Sequence, residues 1–322
     1  MSRYIRNTVI LAKIETTSGT DAVPVGATNA VLVTEMSITP LDAQNIDRNL
    51  VRGYFGASEQ LVGPASVKIS FSTELAGSGT AATAPAWGQL LLACAAAEAL
   101  LSTPARVEYS PVSTGLKTAT IYYYDDGVLH KAVGVMGNAM ISARVGDRPM
   151  LKYEFVGLDA GISAASATPT LSAWKTPVAM TKANVVDITL GSTYSLGAIT
   201  GGIVYPSTGL EMNFGNVVNF TPLLSSETVD ISDRQSSGSI ELDLTAAQEV
   251  SFMAQVKSNA TQSLALTIGS VAGNKIIIHA PAVQLFNPKK VDLNGKRLIG
   301  YDLRLVPTPA GTGNDEWRIV TQ

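Results

Sequence analysis

Residues 117–158 constrain the fold more than any other stretch of this chain. Residues 118–124 are β-branched and aromatic, and Asp125-Asp126-Gly127 behind them is a hairpin turn in which glycine supplies the positive φ. Residues 128–135 read as the returning strand, Gly137-Asn138 as a second turn and residues 139–145 as a third strand. Gly146-Asp147-Arg148-Pro149 then turns into a fourth, residues 150–156. In the last of these Leu151, Tyr153 and Phe155 alternate with Lys152 and Glu154, the pattern of an antiparallel strand with one buried face.

The pattern recurs. Tyr301, Leu303 and Leu305 alternate with Asp302 and Arg304 as Tyr153 and Phe155 do with Glu154. Glu35-Met36-Ser37-Ile38 resembles Glu211-Met212-Asn213-Phe214, and residues 67–71 match residues 240–244 in alternation. The three matches keep their order while their spacing drifts. A duplicated domain is the expectation, residues 1–158 and 177–322, joined by residues 159–176, a run of small residues and proline. Two unrelated β modules are the alternative.

Taken in order, residues 3–15 and 30–39 read as strands, with a Thr/Gly/Pro-rich arm between them. Residues 40–63 read as a long polar loop and residues 67–75 as a strand. Gly77-Ser78-Gly79 reads as a flexible corner, and residues 86–101 as a helix with Trp87, Leu90, Leu91 and Cys94 on one face, ended by Pro104. Strands are expected at 182–190 and 198–205, and a polar loop at 227–237. Thr245 and Gln248 form a capping box for a second helix whose shared face holds Ala246, Val250, Met253 and Lys257. Residues 287–297 read as a turn-rich connection, 307–315 as a tail and 317–320 as an edge strand. The fold class is therefore mainly β, with one flanking helix in each half.

Composition limits the function. Charged residues make up only 15% of the 322, against 46% hydrophobic, and the mean hydropathy is +0.20. No apolar run reaches the ~18 residues a membrane span needs, so the apolar excess points to burial against other protein. No membrane partner and no secretion signal are expected. Net charge is −3 and no basic stripe is interleaved with aromatics, which argues against stable nucleic-acid binding. The single cysteine, Cys94, has no internal partner and fits a reducing compartment.

Chemistry is hard to find. His130 and His279 lie in apolar strands without a second ligand at metal spacing. There is no Gly-x-Ser-x-Gly elbow and no Walker or Rossmann glycine pattern. Tyr122, Tyr123 and Tyr124 alternate between faces and cannot form one stacking platform. No catalytic, metal or cofactor site, no cofactor and no enzyme activity are expected. The polar loops differ, because Asp47-Arg48 and Asp233-Arg234 repeat an acid–base pair. These are either solvated charges or contacts to another subunit that set partner choice. Arg52, Tyr54, Phe55 and Asp230 belong to the same candidate contact set.

A family resemblance agrees with this. Leu11-Ala12-Lys13-Ile14-Glu15-Thr16-Thr17-Ser18-Gly19-Thr20-Asp21-Ala22-Val23-Pro24 resembles the start of the tail-tube (major tail) proteins of long, flexible-tailed bacteriophages. The likeness continues through residues 29–33, 38–41, 47–56, 68–75 and 85–91, and covers roughly residues 9–158. It implies β-sandwich-like tail-tube domains whose inner strands join into one oligomeric β-barrel. It implies stacked rings, with a long loop, residues 45–61, reaching the next ring and residues 227–237 as its counterpart. Two domains per chain imply a trimeric ring with pseudo-sixfold symmetry, or else a hexamer whose second domain decorates the outside. By the same resemblance, double-stranded DNA and a tape-measure protein pass through the lumen without specific binding. Tail-terminator and distal-tail proteins would cap the ends. The protein would be made in the host cytoplasm and reside in the virion tail. The net negative charge suits a conduit for DNA, which a basic wall would trap. A distal-tail or terminator protein of the same fold and a β-sandwich carbohydrate-binding module are the alternatives.

Overall fold

The Asp126-Gly127 turn forms as expected. In the computed structural model, which describes residues 2–309, 311 and 313–322, Asp125 lies opposite Val128. Asp126 (φ 42°) and Gly127 (φ 90°) connect them, and two successive positive φ values match the right-handed twist of the flanking strands. The first half runs through β1 (Thr8–Ile14), the single turn α1 (Gly26–Asn29), β2 (Ala30–Val31), β3 (Thr34–Asp47) and β4 (Gln60–Glu74). Then come α2 (Gly88–Leu92), β5 (Ala96–Ser102), β6 (Ala105–Pro111), β7 (Ala119–Asp125), β8 (Val128–Arg144) and β9 (Met150–Ala164). The second half contains β10 (Val185–Ser195), β11 (Ala198–Val204), β12 (Ser207–Asn213), β13 (Asn216–Leu223), β14 (Ser226–Arg234) and β15 (Ser237–Leu242). It ends with α3 (Ala246–Lys257), β16 (Thr261–Ile268), β17 (Ile276–Leu293), β18 (Lys296–Leu305) and β19 (Arg318–Thr321).

Strand neighbours in the first half run β3-β4-β9-β8-β7-β1-β2, all antiparallel. In the second half they run β12-β15-β18-β17-β16-β10-β11, also antiparallel. Two ladders join the halves. β8 pairs with β12, Ser142 opposite Glu211, and β19 lies between β17 and β6, with Ile319 opposite both Ile278 and Tyr109. The sheet does not close on itself.

Alternation decides what is buried. Phe71, Tyr153 and Phe155 share one face, their ring centroids 5.5–5.6 Å apart. Ile141, Leu210, Met212, Ile240, Tyr301 and Leu303 continue the same apolar cluster into the second half. Tyr205, Phe252 and Tyr301 pack in series and seat α3 on the sheet. The Thr245–Gln248 capping box is present, but the helix buries Phe252 while Val250 is exposed. The sequence's face is thus rotated, because the large aromatic ring gains more by burial than valine does.

Several elements differ from the sequence expectation. Gly137-Asn138 is not a turn. β8 passes straight through it, and the irregularity falls earlier, at Gly134 (φ 59°), between Val133 and Met136. The helix expected over 86–101 is one short turn, and Ala96–Ser102 becomes β5, paired with β6. Pro104 therefore sits in a hairpin turn. Residues 40–47 and 60–63 are paired strand rather than loop. β14 occupies the loop expected over 227–237. Residues 287–297 extend the β17–β18 hairpin around Asn294-Gly295 (φ 53° and 82°). β19 is interior, not an edge. At residues 40–47, 60–63, 227–234 and 287–293 a polar, turn-rich composition conceals strand that is largely exposed. The expected tail over 307–315 includes Ala310 and Thr312, which lie outside the described residues.

The stretch joining the halves begins as strand, since β9 reaches Ala164. The remainder lies along the first half. Thr170 N donates to Gly26 O (2.9 Å), Trp174 Nε1 to Ala30 O (2.9 Å), and Leu171 packs beside Leu11, Tyr122 and Tyr124. Gly79 N donates to Gly273 O (2.8 Å), and a Cβ on Gly77 would sit 2.1 Å from the same oxygen. Backbone meets backbone there, so the Gly-Ser-Gly corner is a contact between the halves.

Candidate functional site

The candidate functional surface has three parts: one face of an eight-strand run of the sheet, the edges at the two ends of that run, and two hairpins. Eight strands form an unbroken antiparallel run, β3-β4-β9-β8-β12-β15-β18-β17. Most of their apolar residues face the core, although Met140, Met150 and Val156 lie on the other face. The alternate residues, among them Ser37, Lys68, Glu154, Ser142, Glu211, Ser239, Glu241, Asp302 and Lys289, form an open polar face.

That face is electrically mixed and paired with itself. Arg144 Nε lies 2.7 Å from Glu211 across the β8–β12 ladder, Lys152 Nζ 3.0 Å from Glu154, and Lys289 Nζ 3.2 Å from Asp302. The hydrogen bond from Arg144 holds the Glu211 carboxyl below the usual carboxylate range. Hydrogen bonds from Asn287, with Lys289 beside them, do the same for Asp302. Cations already matched by carboxylates leave little net field for a polyanion to bind.

At one end of the run the strands continue as hairpin arms. In the first, Asp47 still pairs with Gln60. Arg48 and Arg52 both engage Glu59, Arg52 at 3.0 Å, and Gln60 Nε2 donates to Asp47. The tip exposes Val51, Tyr54 and Phe55, with Phe55 108% and Val51 101% accessible. The second arm is the β13–β14 hairpin, whose tip exposes Leu223 and Leu224. Large apolar side chains held wholly in water are expected where a partner will cover them.

The candidate contact residues separate into two groups. Asp47, Arg48, Arg52, Tyr54 and Phe55 come together in the outer part of the first arm. In the second arm, Asp230 accepts from Thr228 Oγ1 (2.8 Å) on the exposed hairpin. Asp233 is held low by hydrogen bonds from the Gln235 side chain and the Arg234 backbone. Arg234 is almost fully covered at the arm's root, where it donates to Val112 O (3.0 Å) and pairs with Glu316 (2.9 Å). Asp47-Arg48 and Asp233-Arg234 thus occupy different places on their arms. Sequence reading missed Leu223 and Leu224, although two leucines at a Pro-Leu-Leu-Ser-Ser turn were the available signal.

Other reactive groups are structural. Burial and Arg318 bring the His279 imidazole down to about 4, and its ring packs 5.6 Å from Tyr194. Burial pushes the Cys94 thiol up. Tyr194 and Arg106 both donate to Glu108 (2.5 and 2.6 Å), binding the seam between the halves. Among the described residues no cluster of His, Cys, Asp or Glu could hold a metal ion, and no helix is long and apolar enough to cross a membrane.

The N-terminal motif is a local clamp. Glu15 is buried and accepts four hydrogen bonds: Thr118 Oγ1 (2.6 Å), Thr120 Oγ1 (2.8 Å), Gly19 N (2.8 Å) and Gly134 N (2.9 Å). Burial raises the Asp21 carboxyl, but Tyr122 OH (2.5 Å), Val23 N (2.8 Å) and Lys131 Nζ (3.2 Å) outweigh it and hold the group low. Together they fasten residues 15–23 over β7 and the β8 bulge.

Free sheet edges, a self-neutralised face and apolar-tipped arms describe a structural subunit made to be assembled. The chain belongs to the phage tail tube proteins, whose family model matches residues 5–316. No individual curated protein matches it. The family is structural rather than enzymatic. The protein is accordingly a virion component of the bacteriophage tail, and its family assembles with other tail components into a tube.

Proposed function

We propose that the chain forms rings that stack into the tail tube, with the eight-strand run as its share of the wall and the polar face toward a lumen that conducts DNA. The eight-strand run carries this reading. Strands about 4.8 Å apart and tilted about 40° would close eight strands into a barrel about 16 Å across, filled by its own side chains. Three chains, about 24 strands, give about 48 Å, ample for a duplex about 20 Å across even after side chains are subtracted.

A trimer also follows from reading the chain as two tandem tube domains, residues 1–158 and 177–322. Five antiparallel pairings recur in the same order. β3–β4, β4–β9, β9–β8, β8–β7 and β7–β1 correspond to β12–β15, β15–β18, β18–β17, β17–β16 and β16–β10. α2 follows β4 as α3 follows β15. Six tube domains per ring then come from three chains, and the arms at one end of the run reach the neighbouring ring. Mixed, paired charge on the wall lets DNA slide. Negative-stain electron microscopy of the purified protein at rising concentration tests this. Tubes with threefold end-on views are expected, whereas sixfold rings with protrusions, or rings that never stack, overturn the trimeric tube.

A further inference from the structure

We propose that neighbouring chains join edge to edge, β3 of one against the outer end of β17 of the next, with Ser37 opposite Val291, Ile38 opposite Lys290 and Thr39 opposite Lys289. This rests on the ring reading above and specifies its contact.

The argument uses a joint already inside the chain. β8 meets β12 with Met140 opposite Asn213, Ile141 opposite Met212 and Ser142 opposite Glu211. The repeated ladders carry this joint onto the free edges. Tyr153 lies beside Phe71, and Tyr301 beside Ile240. Setting the two tyrosines on each other therefore places Phe71, not Val67 as the bare alternation suggested, on Ile240. Ile38 opposite Ile69 then falls on Met212 opposite Gly238. Likewise Met140 opposite Lys152 falls on Lys289 opposite Gly300, and Ser142 opposite Met150 on Val291 opposite Leu298. β3 is thus the counterpart of β12, and residues 289–293 the counterpart of residues 140–144.

Both counterpart edges are open. Among the described residues β3 pairs only with β4, and residues 289–293 only with β18. An uncovered edge of this length invites another strand. A register fixed by two-residue alternation keeps Ser37 beside Val291 on the mainly polar face, whereas a slip of one residue would set Ile38 beside Val291 there. The adjoining pairs, Glu35 with Leu293 and Met36 with Asp292, bring no like charges together.

Paired cysteines test the contact, and buried Cys94 does not compete. The full chain carrying Ser37→Cys and Val291→Cys should oxidise, once assembled, into covalent rings of three. The displaced pair Ser37→Cys with Lys289→Cys, a diagonal roughly 7–8 Å apart, should cross-link at least about tenfold more slowly. Hydrogen exchange on the unmodified protein should show residues 35–39 and 289–293 gaining protection on assembly. Rings that form without faster linkage of the first pair, or without that protection, overturn the proposed edge while leaving the ring reading intact. A chain that forms no rings under any condition overturns both.

Discussion

Removing the Glu15 carboxylate should unfold more of the protein's stability than any surface charge. Glu15 accepts from two threonine hydroxyls and from the backbone N–H groups of Gly19 and Gly134. The hydroxyls can rotate toward other acceptors, but the two backbone donors cannot. Stranding a buried donor costs about 1–3 kcal/mol, and more where its partner was charged. For Glu15→Ala the expected loss is about 3–5 kcal/mol. Glu15→Gln, which keeps one acceptor oxygen but turns an amide N–H₂ toward the donors, should lose about 2–3 kcal/mol. Against a usual total of about 5–15 kcal/mol, either is a large fraction. Urea unfolding of the unassembled chain, followed by tryptophan fluorescence, measures the loss as a lower midpoint at constant slope. Glu154→Gln, which breaks the exposed pair with Lys152, is the control and should change stability by under about 1 kcal/mol. A Glu15→Ala loss below about 1 kcal/mol would refute the clamp and leave the N-terminal motif without a structural account.

Three further outcomes follow. His279 takes up its proton near 4 when folded and near 6.5 when unfolded. Stability is therefore lost as pH falls from about 6.5 to 4, by about 3 kcal/mol in all, and His279→Leu should flatten that limb in thermal melts. Gly77→Ala forces a Cβ to 2.1 Å from Gly273 O, so the melting midpoint should drop by several degrees; an unchanged midpoint would show that the corner can yield. Phe55→Ser with Val51→Ser, at fully exposed positions, should leave the subunit's stability within about 0.5 kcal/mol yet abolish stacking seen by electron microscopy; tubes of normal length would remove the arm tips from the ring contact.

Much of the architecture was legible because alternation is a two-residue signal that survives drift. Leu151, Tyr153 and Phe155, the Asp126-Gly127 turn and the Thr245 cap each declared themselves locally. The errors have one physical origin. Gly137-Asn138 and residues 287–293 carry turn residues inside strands that bend or run exposed, and neighbouring strands, not local propensity, settle their conformation. Ala96–Ser102 reads as helix from its alanines, yet pairing with β6 leaves it a strand. The placement of the candidate contact residues on the two arms was half legible. Charge drew attention to both arms, but Arg234 faces inward to Glu316, and only pairing across the whole chain reveals that.

The glycine crossing at Gly77, Gly79 and Gly273 has a consequence at the scale of the tail. Two halves that met through long side chains could rock by a few degrees at little cost, because such side chains repack. A backbone amide bonded directly to a backbone carbonyl, with no Cβ between, has far less room to yield. In a polymer any angular error of the unit is multiplied by every copy added, so a small compliance in each subunit would bend the whole filament. In the proposed tube, three residues without side chains would thus help set how straight the filament grows.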